Sequence, residues 1–114
     1  MGKTNALAPK VEVRVVRKVF GRVPEEHAFV LKDDRKLQTV FELIDALETM
    51  PDEVFRHHVN AERNDFASWL ESMFDETALA ADMRRVQQRL DAQRTILKHV
   101  MRELLAHHKT CKGC

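Results

Sequence analysis

The stretch TVFELIDALETMPDE, residues 39–53, decides the fold, because here the spacing of apolar residues becomes that of a helix. Four of them follow the i, i+3, i+4, i+7 pattern of a helix with one buried face. They are Val40, Leu43, Ile44 and Leu47. Thr39 and Glu42 have the spacing of a capping box, which places the start of the helix directly after Thr39. Pro51 disfavours helical geometry in the residue before it, so the helix should end at Met50.

Two more helices follow in the same amphipathic pattern. Pro51 suits the first turn of a helix, and the acids Asp52 and Glu53 favour its dipole there. The inward residues of this short second helix are Val54, Phe55, His58 and Val59. A third helix should open at Asn64 and Asp65. Its apolar face comprises Phe66, Trp69, Leu70, Met73 and Phe74.

The C-terminal part of the sequence predicts one long helix. Asp75 is a suitable N-terminal cap, and neither Gly nor Pro interrupts the chain from there to Lys112. We therefore expect a helix over residues 76–108, with a break near Asp91 as the alternative.

Upstream of the first helix, the pattern is that of strands. In VEVRVVRKVF, residues 11–20, valines alternate with charged residues at the period of a half-buried strand. The following loop contains a glycine and a proline, and a second strand is expected over residues 27–32. Asp33 and Asp34 indicate a turn. Because two strands alone are only marginally stable, this hairpin should pack against the helices.

Together these elements predict an α+β fold, in which an N-terminal β-hairpin packs on a mostly helical domain with a long C-terminal amphipathic helix. A chain of 114 residues, 44% hydrophobic, suffices for one small core. The single domain should span residues 11–108, with residues 1–10 disordered and residues 109–114 a flexible tail.

The composition indicates neither a membrane segment nor a secretion signal. No apolar run approaches the ~20 residues needed to span a bilayer, and the first ten residues lack the apolar centre of a signal peptide. Both cysteines, Cys111 and Cys114, lie in the last four residues, where they cannot cross-link the fold. We therefore expect a cytoplasmic protein without membrane contact.

Charge is segregated along the chain, although the formal net charge is only +1. Residues 1–22 hold six Lys/Arg and one acid, residues 23–81 hold five and fourteen, and residues 82–114 hold eight and three. Either the acidic middle attracts the basic ends within one molecule, or the basic ends serve a polyanion. Both interpretations stay open at this point.

The segment of residues 29–83 contains a combination of short motifs. They are Phe29, Leu31 and Asp33 of the strand, Leu43, Ala46 and Leu47 of the helix, His58-Val59-Asn60, Asn64-Asp65-Phe66, Trp69, and Leu79-Ala80. On these motifs, the segment resembles a small domain family of unknown function that is common in archaea and candidate-phylum bacteria. The family usually has Gly where this chain has Asp34, which can still adopt a left-handed turn at some cost. The resemblance implies a fold for the core and no catalytic residues.

The stretch HHVNAERNDFASWL, residues 57–70, is the densest polar cluster of the chain. Convergence of His57 or His58 with Asp65 would make a metal or acid-base site. The alternative is a structural joint between two helices, and this is the interpretation that we favour.

In the joint interpretation, each polar residue has a local task. Asn60 takes the left-handed cap that ends one helix, and Asn64 caps the start of the next. His58 should face inward and hydrogen-bond a loop carbonyl beside Trp69, whereas His57 should lie in solvent. A cap does not explain the inward position of His58.

The tail HHKTCKGC holds four potential soft metal ligands. They are His107, His108, Cys111 and Cys114. Zinc shared between two chains is one interpretation, because a structural site usually draws a second ligand pair from elsewhere. The others are a reduced, disordered tail and a redox pair. Apart from zinc or another thiophilic metal at this tail, the sequence indicates no cofactor.

Apolar residues of the predicted long helix alternate in steps of three and four, which is the spacing of a coiled-coil seam. The seam comprises Met83, Val86, Leu90, Gln93, Leu97, Val100, Leu104 and His107. Gln93 would specify the register between two copies. Ile96, Met101 and Leu105 widen the apolar face, which favours a bundle with the protein's own domain or with a partner.

The outer side of this helix is basic. Its cations are Arg84, Arg85, Arg89, Arg94, Lys98 and Arg102. Like charges at i and i+4 destabilise a helix unless an anion lies alongside. That anion is either a nucleic-acid backbone or the acidic side chains of the first two helices. Those acids are Glu42, Asp45, Glu48, Asp52 and Glu53.

The sequence has no Gly-rich phosphate loop, no activated nucleophile and no isolated carboxylate pair, so an enzyme is not expected. We predict a non-enzymatic binding or scaffold module that acts through its C-terminal helix, with a protein partner or a second copy of itself as a homo-oligomer. The alternative is a nucleic-acid or ribonucleoprotein accessory factor that uses the basic N- and C-terminal segments.

Overall fold

The computed structural model describes residues 18–113, with side chains over residues 18–106. A 3-10 turn at Glu25–His27 precedes two strands, β1 (Phe29–Val30) and β2 (Lys36–Leu37). The helices of the described part are α1 (Val40–Thr49), α2 (Asp52–His58), α3 (Asp65–Phe74), α4 (Thr77–Met83) and α5 (Arg89–Gly113). The antiparallel hairpin and the helical domain after it confirm the α+β class.

The hairpin is built from different strands than the sequence pattern predicts. β1 pairs with β2, with Phe29 opposite Leu37. Residues 18–20 form a turn, and residues 11–17, which hold most of the first predicted strand, lie outside the described residues. The tight turn after β1 explains the local pairing, because Asp34 adopts the left-handed conformation (φ 73°) and returns the chain at once.

Local signals fix helix α1 as predicted. The Thr39 hydroxyl accepts a hydrogen bond from the Glu42 backbone N–H at 3.0 Å, and the Glu42 carboxylate accepts one from the Thr39 N–H at 3.1 Å. This capping box satisfies two N–H groups that a helix start leaves without partners. The helix ends at Thr49, because Met50 before the proline is extended (ψ 131°).

The core forms where the hairpin meets helix α3. The Phe29 ring lies 4.9 Å from that of Phe66 and 5.6 Å from that of Trp69, centroid to centroid. The Trp69 indole N–H donates to the backbone carbonyl of His27 at 3.0 Å, so the largest side chain also satisfies a backbone group of the preceding loop. The predicted packing of the hairpin on the helices is therefore confirmed.

The prediction of one helix over residues 76–108 is wrong. Asp75 is left-handed (φ 58°) and ends α3 instead of capping a new helix. α4 stops at Met83, and α5 starts at Arg89, so the break precedes the predicted position near Asp91. A tertiary contact lies at this break, because the Met83 carbonyl accepts from the Asn64 side-chain amide at 3.0 Å in addition to the Val86 N–H at 3.3 Å.

Helix α5 packs on α1 and α4 through only part of its length. Its buried residues are Ala92, Ile96 and Val100, spaced four apart on one face. All six side chains of residues 101–106 are exposed. The helix of 25 residues is about 37 Å long, and over residues 101–106 it extends past the core. Over the described residues, no helix has the length and apolar character to cross a membrane.

Candidate functional site

The predicted seam does not form one face, because the break before α5 changes the helical phase. Met83 is fully buried at the end of α4, and Val100 is buried in the core. Gln93 donates to the Ile44 carbonyl at 3.0 Å and to the Glu48 carboxylate at 2.8 Å, so it joins α5 to α1 instead of specifying a register between copies. Val86 packs against the core from the connecting turn. The side chain of His107 lies outside the described residues.

The structure instead places an apolar surface on a neighbouring side of α5. We call it the exposed stripe, and its members are Leu90, Leu97, Met101, Leu104 and Leu105. Their side chains are 39–63% exposed. Steps of seven, four, three and one residues keep them on one side of a helix. Three of the predicted seam residues therefore remain together, joined by two that the sequence assigned to a wider face.

Exposed aromatic side chains also lie outside α5, one of them on α1. Phe20 and Phe41 are 41% and 46% exposed, and their rings stack with centroids 6.2 Å apart. Hydrogen bonds from Gln93 to Ile44 and from Arg89 to Leu47 show that α1 and α5 run antiparallel. One further turn along this register brings Phe41 level with Leu97.

Three of the six predicted basic contact residues have partners inside the protein. Arg84 pairs with Glu71 at 3.0 Å. Arg85 pairs with Asp82, three residues earlier in the chain, at 3.9 Å. Both pairs are largely exposed and contribute little to stability. A third cation, Arg89, has a structural role.

Arg89 closes the C-terminal end of α1. Its Nη1 donates to the carbonyls of Leu47 and Glu48 at 2.5 and 2.9 Å, which are acceptors that a helix end leaves free. The Arg89 Nε is buried and lies 3.6 Å from the Asp52 carboxylate, too far for a hydrogen bond but close enough for ionic attraction. We therefore assign Arg89 to the fold and not to a contact surface.

The other three cations, Arg94, Lys98 and Arg102, make no ion pair with any residue of the described side-chain range, 18–106. They repeat every four residues along α5, beside the exposed stripe. The acids predicted to neutralise them are used elsewhere or lie apart, since Asp52 attracts Arg89 and Glu48 accepts from Gln93. Among the six cations, Arg89 alone therefore pairs with an acid of the first two helices, while Arg84 and Arg85 pair with other acids of the chain.

His58 is buried in the polar joint, as predicted, but its partners differ from the prediction. Its Nε2 accepts from the Lys32 backbone N–H at 3.0 Å, and its Nδ1 faces the Asp65 carboxylate at 3.0 Å. A backbone N–H only donates, so Nε2 carries the lone pair and Nδ1 carries the proton. A backbone N–H of the loop therefore takes the place of the predicted loop carbonyl.

This geometry leaves no free nitrogen on His58 for a metal or for proton transfer. Within the side-chain range described, no group of three or more metal-ligating residues is found. His57 is exposed as predicted, with its Nε2 3.5 Å from Arg63. Desolvation, together with the nearby His58 and Arg63, lowers the pKa of His57, so its ring is neutral at pH 7. The structural interpretation of the joint is the one that the geometry supports.

Of the two asparagine caps, one is confirmed and one is wrong. Asn64 accepts from the Ala67 N–H at 3.0 Å and starts α3. Asn60 is not left-handed, because Val59 ends α2 in an extended conformation. Asn60 instead caps with its side chain, which donates to the Arg56 carbonyl at 3.0 Å. This bond satisfies a carbonyl at the end of the helix, so a left-handed turn is not needed there.

Sequence reasoning missed a second buried polar contact. Glu76 is only 5% exposed, and its carboxylate accepts from the Val19 backbone N–H and from His99 Nε2, both at 3.0 Å. The contact joins the N-terminal segment to the middle of α5. Its only signal in the sequence is an acid directly after the cap Asp75 and before the apolar residues of α4.

Three of the four tail residues proposed as metal ligands, His107, His108 and Cys111, lie on the last turns of α5. Its backbone remains helical to Gly113, beyond the predicted end at residue 108. The side chains of His107, His108 and Cys111, and all of Cys114, lie outside the described residues.

Comparison with known proteins assigns no relative to this chain. We found no match to it among protein-family models, curated proteins or solved structures. The resemblance of residues 29–83 to an archaeal and bacterial domain family therefore stays a prediction. The function has to be argued from the surface of the molecule.

Proposed function

We propose that the protein is a non-enzymatic binding module that associates with a second copy of itself through the exposed stripe of α5. The observation that supports this most directly is the projection of α5 past the core. Residues 101–106 are entirely exposed, yet three of them are Met101, Leu104 and Leu105. An unsupported helix of this length is only marginally stable in water.

The energetic argument also favours a partner. Fully burying a Leu or Met side chain stabilises a protein by about 1.5–3 kcal/mol. Contiguous apolar patches on a monomer are usually small, and larger ones indicate an interaction site. Because association itself costs several kcal/mol in lost freedom, most of the stripe has to be covered for a stable complex. Loss of two central leucines should therefore suffice to abolish it.

Light scattering of the full chain over a concentration series tests the proposal. We expect the protein to be a dimer at high concentration, and the double variant Leu97→Glu, Leu104→Glu to be a folded monomer, because charges replace the centre of the stripe. Val30→Glu is the matched control, since Val30 is also 52% exposed but lies on β1. A wild-type protein that stays monomeric at every concentration would refute the proposal.

A second candidate function is nucleic-acid binding, and the unpaired trio Arg94, Lys98 and Arg102 supports it. Their spacing of four residues presents three cations along one edge of the helix, which suits a phosphate backbone. The prediction of a cytoplasmic location fits both candidates.

A salt titration with mixed DNA and RNA tests this second candidate. If the trio contacts phosphates, the logarithm of the affinity falls with the logarithm of salt concentration with a slope of about −2 to −3. Replacing all three cations by Glu should abolish binding, whereas Arg85→Glu should not, because Arg85 lies outside the trio. Absence of binding at low salt excludes the candidate.

A further inference from the structure

We infer that the second copy lies parallel to the first along α5, so that Arg94 and Lys98 of each copy pair with Asp45 on α1 of the other. The inference rests on the proposed self-association. It adds the orientation of the partner and a set of ion pairs that only two copies together complete.

Helix α5 carries α1 along one side of the exposed stripe and its cations along the other side. At about 100° per residue, Gln93 lies about 60° to one side of Leu90, and Lys98 about 80° to the other side. Gln93 donates to Ile44 and Glu48, so α1 flanks the stripe on the side of Gln93. The opposite flank is basic, because the exposed trio lies there.

Helix α1 is acidic and has a carboxylate to offer. Its three charged residues are all acids, and Asp45 is exposed. Asp45 lines a shallow groove beside Arg35 and Lys36, but Arg35 pairs with Asp33 at 3.3 Å and Lys36 pairs with Glu25 at 3.4 Å. Among the side chains of residues 18–106, none makes an ion pair with Asp45. Its carboxylate is therefore available to a partner.

The two flanks decide the orientation. When two helices pair through one stripe in parallel, each flank of one helix adjoins the opposite flank of the other, whereas in an antiparallel pair each flank adjoins its own copy. The parallel pair therefore sets the basic trio of each copy against the acidic α1 of the other. The antiparallel pair sets trio against trio and α1 against α1, and opposed like charges disfavour association.

The levels of the residues along the helices agree with this pairing. Gln93 donates to the Ile44 carbonyl, so Asp45 lies level with Gln93 and Arg94. In a parallel pair in register, Arg94 of the other copy lies at the same level, and Lys98 lies about one turn further along. Two cations of one copy therefore approach one carboxylate of the other, at two symmetric places. The attraction between basic and acidic segments then acts between molecules.

Charge reversal in the full chain tests the pairing. Asp45→Arg and Arg94→Asp should each weaken the dimer at least about tenfold in sedimentation, because each variant opposes like charges at both symmetric places. An equimolar mixture of the two variants should recover the association of the wild type, since the mixed dimer has opposite charges at both places. The matched control is Glu53→Arg, the same charge change at an exposed residue of α2. It should neither weaken the dimer nor rescue Arg94→Asp.

Disulfide formation between copies tests the orientation directly. In chains that carry Cys111→Ser and Cys114→Ser, the changes Leu90→Cys and Leu104→Cys place one thiol towards either end of the stripe. In a parallel pair in register, each thiol lies opposite its own copy. In an antiparallel pair the two positions lie opposite each other, and 14 residues, or about 21 Å, separate each thiol from its own copy. Mild oxidation of a mixture of the two chains should therefore give disulfides between identical chains and no mixed disulfide, as read by mass spectrometry.

The outcomes separate this inference from the proposed function. A dimer that is insensitive to both charge reversals, or that forms only the mixed disulfide, overturns the inference and leaves self-association intact. Loss of nucleic-acid binding in Arg94→Asp with an unchanged dimer also overturns it, because the trio would then serve phosphates. A wild-type chain that is monomeric at every concentration overturns both. Weakening in each variant, recovery in the mixture and disulfides between identical positions support the inference.

Discussion

Replacing Glu76 with Ala is expected to lower the free energy of unfolding by about 2–5 kcal/mol, because one buried and one part-buried donor lose their acceptor. The carboxylate accepts from the Val19 N–H and from His99 Nε2, and the Glu76 side chain is 6% exposed. Each buried polar group left without a partner costs about 1–3 kcal/mol. Glu76→Gln should lose less, since its amide oxygen can still accept one of the two bonds.

Urea unfolding followed by circular dichroism measures this effect. The matched control is Glu71→Ala, which removes an exposed pair with Arg84 and should cost less than about 1 kcal/mol. All variants should carry Leu97→Glu and Leu104→Glu, because dimerisation would otherwise make stability depend on concentration. An equal loss in Glu76→Ala and Glu71→Ala would show that the buried carboxylate does not support the fold.

The Glu76 contact also bears on the interaction surface. Val19 and Phe20 are adjacent, and Phe20 stacks on the exposed Phe41 of α1. His99 lies one residue before the last buried position of α5, Val100. One carboxylate therefore fixes both the segment that carries Phe20 and the point from which α5 leaves the core. We expect Glu76→Ala to weaken association as well as stability.

Elements with local signals were predicted correctly from the sequence. The start of α1 depends on Thr39 and Glu42, which are three residues apart, and its end depends on the next proline. The start of α3 depends on Asn64 and the N–H of Ala67. Caps of this kind involve neighbouring residues, so a sequence pattern contains all the information that they require.

Elements that depend on distant contacts were not predictable in this way. At the break between α4 and α5, the Met83 carbonyl accepts a hydrogen bond from Asn64, 19 residues away. Without that break, the heptad pattern includes Met83 and Gln93, which the fold uses for its own packing and for α1. The exposed stripe is the part of the apolar pattern that these intramolecular contacts do not use.

The candidate sites show the same difference between local and distant contacts. The inward position of His58 follows from its place four residues after Val54, and the sequence predicts it. Its acceptor role towards Lys32, 26 residues away, does not follow from any local pattern. The same holds for Arg89, whose charge suggests a surface but whose guanidinium binds carbonyls of α1, more than 40 residues earlier.

Replacing His58 with Leu is expected to lower the free energy of unfolding by about 2–4 kcal/mol, because both bonds of the ring are lost. The Lys32 N–H would be left part-buried without an acceptor, and the Asp65 carboxylate would lose a donor. The Asp65 side chain is 35% exposed and can bind water, so the larger share of the cost should come from Lys32.

Two isosteric variants separate these contributions. The Gln side chain places an acceptor oxygen near the position of Nε2, whereas the Asn side chain places a donor near Nδ1. His58→Gln should therefore retain most of the stability, and His58→Asn should lose nearly as much as His58→Leu. Urea unfolding of the monomeric background at pH 7 provides the measurement. Stability retained in His58→Asn and lost in His58→Gln would place the energetic weight on Asp65. The expected order would instead show that His58 holds the hairpin turn on α2 through a backbone amide, which is a structural task that occupies the nitrogen a catalytic base would need.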